Sequence, residues 1–235
     1  MGLILNTRAA FYHERFHEAF GDLPWAIFDC PLTLPEPLAM DVPPPALFDA
    51  LIFTSQIAVA TFAPTPAWLT KKVFAVGQGT AETAAQAGFT DVIQTGQTVD
   101  DMRAFLRTAD FTSALYPSAD EITADLTVDS PGRIRREIAY RMVPRDDLPQ
   151  QLIAHIQKGT PIVAPMFSRR GTDIFADVLG KASLTAANAK ITAVGISANV
   201  FAGHPGPWHG QTVAEEPTLG ALAAKTGEVI ESMSA

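Results

Sequence analysis

The segment Val73-Phe-Ala-Val-Gly77-Gln-Gly-Thr-Ala81 carries the clearest structural signal in the chain, an apolar run that ends in a glycine turn. The residues from Ala81 to Ala87 are good helix formers, and Gly88 follows them as a helix stop. An apolar strand, a tight turn and a helix in this order predict a parallel α/β unit. The helix start can hold a carboxylate or a phosphate, although a turn without a ligand is an equally open interpretation.

Related units occur in both halves of the chain. In one half, a strand ending in Phe53-Thr-Ser55 precedes Ala75-Val-Gly77, and in the other a strand ending in Phe167-Ser168 precedes Ala193-Val-Gly195. Ligands of open α/β sheets bind beyond the carboxyl ends of the strands. We therefore predict two half-sites that face each other across a cleft between two domains.

Two segments are predicted to connect the halves. Residues 31–45 contain six prolines, too many for a helix or a central strand, and we interpret them as an extended linker. Residues 133–143 alternate in part between charged and apolar side chains, which predicts a strand returning toward the first domain. A further strand, Ala114-Leu-Tyr116, is expected to end before Pro117.

The composition indicates a folded chain. Of the 235 residues, 47% are hydrophobic, and the formal net charge of -8 disfavours general binding to nucleic acids or anionic membranes. No apolar run reaches the roughly 18–20 residues of a membrane span, and the N-terminus lacks the basic start and apolar core of a signal peptide. Because Cys30 is the single cysteine, an intrachain disulfide is excluded, and we expect a cytoplasmic protein.

The acidic average hides a cluster of five arginines within thirteen residues: Arg133, Arg135, Arg136, Arg141 and Arg145. One interpretation is a solvated face with ordinary ion pairs. The other is a local wall that binds anions. The charge pattern alone leaves both open.

A different motif, His13-Glu14-Arg15-Phe16-His17, matches the His-Glu-x-x-His pattern of zinc hydrolases. Histidines at this spacing share one helix face, and the glutamate can activate a metal-bound water. The context is poor, because the segment follows the first strand directly and the next acid after Asp29 is Glu36, among prolines. A chance match on a polar helix face is the favoured interpretation, with a zinc hydrolase as a third-ranked alternative.

Tyr140 is the strongest catalytic candidate. It lies among arginines in the predicted returning strand. A phenol has a pKa of about 10, so it is protonated at neutral pH and can donate a proton, while nearby arginines could stabilise the phenolate. The alternative is an ordinary half-buried strand tyrosine.

Taken together, these segments resemble the uroporphyrinogen-III synthase family. The similarity extends in order over nearly the whole chain. It rests on Thr7-Arg8, Phe53-Thr-Ser55 with Ala58-Val59, Phe74-Ala-Val-Gly77-Gln-Gly-Thr80-Ala81, Ala139-Tyr140-Arg-Met-Val-Pro144, Met166-Phe-Ser168 and Ala193-Val-Gly195.

The resemblance implies two α/β domains with parallel sheets, the second inserted in the first and joined to it by a two-strand linker. The first domain would comprise residues 1–33 and 146–235, and the second residues 34–145. The implied activity is that of a lyase that cyclises hydroxymethylbilane, with inversion of ring D and loss of water, to uroporphyrinogen III for haem, sirohaem, cobalamin or chlorophyll. We expect a monomer without metal or organic cofactor, coupled functionally to hydroxymethylbilane synthase.

The resemblance also implies the site. Tyr140 would donate a proton to the departing hydroxyl, and substrate carboxylates would be bound by Arg8, Thr54, Ser55, Gly77, Gln78, Gly79, Thr80, Ser168, Gly195 and Ser197. Two segments, Gly195-Ile-Ser-Ala-Asn199 and Tyr116-Pro-Ser-Ala119, depart from the family pattern. A catalytically inactive homologue that binds a small anion with two domains is therefore the alternative.

Overall fold

The computed structural model describes residues 2–122, 124–186, 189–202 and 206–234. The chain divides into two compact units. Unit 1 comprises Met1–Leu34 and Pro144–Ala235, and unit 2 comprises Pro35–Val143. The domain boundaries given above stay a prediction.

Strands and helices alternate along most of the chain. The strands are β1 (Leu3–Asn6), β2 (Ala26–Asp29), β3 (Thr33–Pro37), β4 (Ala50–Phe53), β5 (Lys72–Val76), β6 (Asp91–Gly96), β7 (Ala114–Ala119), β8 (Ile134–Pro144), β9 (Ile162–Met166), β10 (Ile191–Gly195) and β11 (Gly210–Val213). The helices are α1 (His13–Phe20), α2 (Gln56–Thr61), α3 (Pro66–Leu69), α4 (Gln78–Gln86), α5 (Val99–Leu106), α6 (Gln150–Gln157), α7 (Arg169–Lys181) and α8 (Leu219–Ser234).

The sheet of unit 1 has the order β11-β10-β9-β1-β2, and all of its neighbouring strands are parallel. The chain adds β2 on one side of β1 and later adds β9, β10 and β11 on the other. The strand order therefore reverses between β1 and β9. The carboxyl ends of two such strands are the usual ligand position of an open parallel sheet.

The second sheet has the order β3-β8-β7-β4-β5-β6, and β4 to β8 pair in parallel. Here β5 and β6 lie on one side of β4, and β7 and β8 lie on the other. The reversal therefore falls between β4 and β7. The predicted fold class, mixed α/β with parallel sheets, is confirmed.

Alternate residues of the central strands enter different hydrophobic clusters. In β1, Leu3 and Leu5 belong to one cluster and Ile4 to another, and in β4 Leu51 and Ile52 are divided in the same way. Because both faces of each sheet are covered, these strands are continuous apolar runs without polar alternation. Each fully buried side chain of this kind contributes about 1.5–3 kcal/mol of transfer free energy.

The structure bears on two predictions about prolines. The proline-rich segment, interpreted as an extended linker, contains the extended strand β3 (Thr33–Pro37) at the edge of the second sheet, where a missing amide leaves no central ladder bond unmade. The prediction about Pro117 is wrong. Strand β7 does not end before Pro117 but continues to Ala119. It pairs with β4 through Ala114 and Leu115 and with β8 along its whole length, so Pro117 is tolerated near the end of the strand.

Among the described residues, every helix is too short or too polar to serve as a membrane span.

Candidate functional site

A cavity of about 170 Å³ lies in unit 2 where the strand order reverses. Thr54 and Ser55 follow β4 directly, and Ala119 is the last residue of β7. Two phenols, two aliphatic hydroxyls, four hydrophobic side chains and one carboxylate line this space. Its lining residues are Thr54, Ser55, Val99, Tyr116, Ala119, Glu121, Ile122, Ala124 and Tyr140.

Ser55 and Tyr140 meet in this cavity. The Oγ of Ser55 lies 2.9 Å from the phenol oxygen of Tyr140, and either hydroxyl can be the donor. The same Oγ accepts the backbone N–H of Ala58 at 3.1 Å and so caps the start of α2. Tyr140 is 5% exposed. The cap fixes the position of the Ser55 oxygen, and this oxygen in turn orients the phenol.

A second hydroxyl pair lines the same cavity. The Oγ1 of Thr54 lies 3.2 Å from the phenol oxygen of Tyr116. Burial raises the pKa of Tyr116, although its hydrogen bond to Thr54 opposes the rise. Sequence reasoning missed Tyr116 as a lining residue. The available signal was its position at the carboxyl end of the predicted apolar strand Ala114-Leu-Tyr116, since ligands bind beyond such strand ends.

Arg136 holds the end of β7, which forms one wall of the cavity. Its guanidinium donates to Ser118 Oγ at 2.8 Å, to the carbonyl of Ala119 at 2.6 Å and to the carbonyl of Asp120 at 2.7 Å. The backbone N–H of Asp120 donates to the carbonyl of Tyr140 at 3.0 Å. The wall is therefore tied to β8 by both side-chain and backbone bonds.

The glycine turn lies at the same sheet edge but outside the cavity lining. Gly77 caps α4 with φ of 77°, a conformation that favours glycine, and its N–H donates to the carbonyl of Gly96. The Gln78 side chain donates to Glu82 at 2.7 Å, and Thr80 is buried. A Cβ on Gly79 would collide with the amide nitrogen of Gln56, so this glycine permits close packing of α4 on α2.

The arginine cluster is engaged within the chain. Four of its members, besides Arg136, have these partners: Arg133 donates to the carbonyls of Ala109 and Phe111, Arg135 to Glu137, Arg141 to Glu36 and Arg145 to the carbonyl of Pro31. These bonds favour the interpretation of structural pairing over that of an anion-binding wall.

In unit 1, Arg8 lies where the strand order reverses. It follows β1, and its guanidinium carbon is 3.9 Å from the ring centre of Tyr12 and 4.5 Å from that of Phe167, which follows β9. The two rings stabilise the cation, whereas burial lowers the pKa of Arg8. Ser168 accepts the N–H of Gly171 at 3.1 Å and caps α7, as Ser55 caps α2.

Gly195 and Ser197 occupy the end of β10 in the same unit. A Cβ on Gly195 would approach the Phe201 ring to 2.6 Å and Val200 to 2.7 Å, so only glycine fits without a shift. Ser197 precedes the 3-10 helix Ala198–Phe201, and its side chain makes no capping hydrogen bond to that helix. The predicted site residues of unit 1 thus lie at or just beyond the carboxyl ends of three neighbouring strands, β1, β9 and β10.

The two histidines of the His-Glu-x-x-His motif bind one carboxylate. His17 Nε2 lies 3.1 Å from Asp29 Oδ2, and His13 Nδ1 lies 3.5 Å from the same oxygen. His13 Nε2 also donates to the carbonyl of Arg8 at 3.1 Å. Within the described part of the chain, no group of three His, Cys, Asp or Glu side chains is arranged to hold a metal ion. The motif therefore serves hydrogen bonding between α1 and the ends of β1 and β2.

Comparison with protein families gives a match over most of the chain. Residues 14–224 match the sequence model described as Uroporphyrinogen-III synthase HemD. The chain belongs to the uroporphyrinogen-III synthase family. The predicted resemblance is confirmed. Among curated proteins, none matches the chain.

Solved structures of the uroporphyrinogen-III synthase family are similar in fold. The chain is 18% identical to uroporphyrinogen-III synthetase from Helicobacter pylori 26695, with a TM-score of 0.56 over 99% of this chain and 100% of that one. A uroporphyrinogen III synthase from Thermus thermophilus is 15% identical, with a TM-score of 0.42 over 98% of this chain and 100% of that one. At such identities the likeness to the first structure concerns the fold.

Family membership places the chain among proteins of porphyrin and tetrapyrrole biosynthesis, and at this level a cyclising lyase is implied. The structure brings Thr54, Ser55 and Tyr140 together in one cavity. It sets Gly77–Thr80 beside that cavity and Arg8, Ser168, Gly195 and Ser197 at the equivalent edge of unit 1. The roles of all these residues, and the predicted cleft, stay predictions.

Proposed function

We propose that this chain is an active uroporphyrinogen-III synthase that converts hydroxymethylbilane to uroporphyrinogen III. The observation that carries the proposal is the position of Tyr140, whose phenol lines a cavity at the strand-order reversal of unit 2 and is held by a capped serine. Membership of the family supports the same activity.

Tyr140 acts as the proton donor. The substrate loses its terminal hydroxyl, the phenol proton joins that hydroxyl to form water, and a pyrrole nitrogen supplies the electron pair that expels it. The resulting azafulvene cation bonds to the substituted α-carbon of ring D and forms a spiro intermediate. The bond between that carbon and its original methylene then breaks, and the methylene bonds to the free α-carbon of ring D, which inverts the ring and closes the macrocycle. The carbon that forms the final bond then loses a proton, which returns to the phenolate, so the enzyme is restored and one water is released.

The cavity receives only the reacting end of the substrate. Its volume of about 170 Å³ is below the roughly 300–1,000 Å³ of pockets that enclose drug-sized ligands. Positioning of the reacting carbons against spontaneous closure is the main catalytic task, and a small cavity around the leaving hydroxyl serves it. The rest of the molecule is held through its carboxylates.

Arg8 is the best charged candidate for carboxylate binding. The guanidinium is held between Tyr12 and Phe167, so little rotamer freedom is lost when a carboxylate binds. Ser168, with the first turn of α7, and the turn at Gly77 supply hydroxyl and amide donors at other strand ends. The proposal also includes location in the cytoplasm, a monomeric state and functional coupling to hydroxymethylbilane synthase.

The test is the isomer formed from freshly prepared hydroxymethylbilane. The purified protein is mixed with the substrate, the products are oxidised, and the porphyrin isomers are separated by chromatography. We expect mostly isomer III, whereas the reaction without protein gives isomer I. Isomer I alone, from protein with intact circular dichroism, would contradict the proposal and favour the small-anion-binding homologue.

A further inference from the structure

Ser55 makes two hydrogen bonds with different partners. Its Oγ accepts the N–H of Ala58 at 3.1 Å and lies 2.9 Å from the phenol oxygen of Tyr140. A serine hydroxyl has one proton and two lone pairs. Because the Ala58 amide can only donate, it occupies one lone pair and leaves the serine proton available for Tyr140.

The contact between Ser55 and Tyr140 can exist in two forms. In one, the phenol donates to Ser55, and its proton is not available to a substrate. In the other, Ser55 donates to the phenol oxygen, and the phenol proton is directed elsewhere. Both forms keep the same 2.9 Å contact, so the change needs only rotation of two hydroxyl groups.

We propose that Ser55 is the positioning residue for Tyr140, donating its proton to the phenol oxygen while Tyr140 gives up its own. This inference rests on the proposed function and assigns Ser55 a role other than direct binding of a substrate carboxylate. As the phenolate forms, the bond from Ser55 becomes charge-assisted and so becomes stronger. The proton then returns to Tyr140 and the bond returns to its neutral strength.

Thr54 offers an internal contrast. Its hydroxyl lies 3.2 Å from Tyr116, and the raised pKa of that buried phenol keeps it protonated. Of these two hydroxyls, that of Ser55 is also fixed by a helix cap, because it accepts the N–H of Ala58. Of the two tyrosines in the cavity, Tyr140 is therefore the one whose partner is held in place.

The first experiment titrates the tyrosines without substrate. The chain has three tyrosines, so 3-fluorotyrosine gives three ¹⁹F signals that single Tyr→Phe variants assign. Fluorination lowers the phenol pKa, and circular dichroism at each pH confirms that the protein is folded. Wild type is compared with Ser55→Gly, which removes the hydroxyl but retains an acceptable helix N-cap residue, and with Ser55→Thr, which keeps both.

We expect the Tyr140 signal of Ser55→Gly to titrate at a higher pH than in wild type, because the phenolate loses a donor. Ser55→Thr should titrate as wild type does. Thr61→Val, which removes a hydroxyl bonded to the Ile57 carbonyl in the same helix, is the matched control and should also leave the signal unchanged. An unchanged or lower midpoint in Ser55→Gly, or an equal rise in Ser55→Thr, would overturn the proposal.

The second experiment uses hydroxymethylbilane. We expect kcat of Ser55→Gly to fall about tenfold with KM unchanged, since the lost bond acts on the proton donor. A rise in KM with unchanged kcat would mean that Ser55 binds substrate and would overturn the inference. The two proposals fail separately. If wild type forms isomer III but the Tyr140 signal of Ser55→Gly titrates as in wild type, the synthase function stands and only the role of Ser55 is contradicted.

Discussion

The guanidinium of Arg136 donates to the hydroxyl of Ser118 at a distance of 2.8 Å, between the adjacent strands β8 and β7. Ser118 is 1% exposed, so water cannot replace this donor. Two carbonyls of the cavity wall, those of Ala119 and Asp120, accept from the same guanidinium. Arg136 thus stabilises the wall of the cavity through these hydrogen bonds.

Replacing Arg136 with methionine should reduce the free energy of unfolding by about 2–4 kcal/mol. The change removes three hydrogen bonds from a charged donor, each of which contributes about 1.5–3 kcal/mol when it is buried. The loss is largest at the buried Ser118 hydroxyl and smaller at the more accessible carbonyls of Ala119 and Asp120. Urea denaturation measures the effect. Arg135→Met is the control on the same strand, because its pair with Glu137 is half exposed and should account for less than about 1 kcal/mol. Equal losses would contradict this role of Arg136.

Replacing Tyr140 with phenylalanine should lower turnover of hydroxymethylbilane at least about tenfold while the fold stays intact, since the proposed proton donor is lost. Tyr116→Phe should lower it less, because the Tyr116 hydroxyl is bonded to Thr54 and burial raises the pKa of that phenol. Steady-state kinetics and the isomer ratio measure both. A larger loss in Tyr116→Phe would transfer the donor role to Tyr116.

The backbone at Gly77 predicts a destabilising alanine substitution. Its φ of 77° and ψ of 152° lie in a region that is almost exclusive to glycine, so Gly77→Ala should cost about 1–3 kcal/mol. Gly180→Ala is the matched control. A Cβ there meets no atom within 4 Å, and the site is helical, so stability should rise by up to about 1 kcal/mol. Thermal unfolding would refute the assignment if both variants changed stability in the same direction.

Cys30 should react slowly in the native protein. Burial raises the pKa of its thiol from the ordinary 9.0 to about 11, so at neutral pH the native thiolate is about a hundredfold scarcer than in the unfolded chain. The rate of reaction with Ellman's reagent, before and after unfolding in urea, measures this. Because the folded state holds the proton more tightly, this contribution to stability is present below pH 9.0 and is lost as pH rises toward about 11. Equal native and unfolded rates would contradict burial of the thiol.

The sequence predicted the parallel strands because their apolar runs are continuous. Val73–Val76 and Ile162–Met166 fall within a stretch of buried residues in the structure. The prolines of residues 31–45 predicted an extended segment, but only its pairing with β8 shows which part of it is an edge strand. The extension of β7 past Pro117 depends in the same way on its neighbour β8.

The candidate site was predictable in part. Tyr140 and Ser55 were identified from local pattern and resemblance, but their hydrogen bond joins residues 85 positions apart and has no local signal. The arginine cluster illustrates the reverse case. Its charge was evident, yet its use in holding β7 and β3 became visible only through partners such as Ser118 and Glu36.

The sequence by itself determined the α/β class, the order of the strand–turn–helix units and the residue types available for chemistry, because propensity, periodicity and turn residues act over a few neighbours. Tertiary structure alone decided which strand ends are adjacent and therefore which hydroxyls meet. The reversal of strand order between β4 and β7 brings Thr54 and Ser55 to Tyr116 and Tyr140. Such contacts depend on the pairing of distant strands, which is set by burial of the whole sheet and cannot be derived from a local stretch of chain.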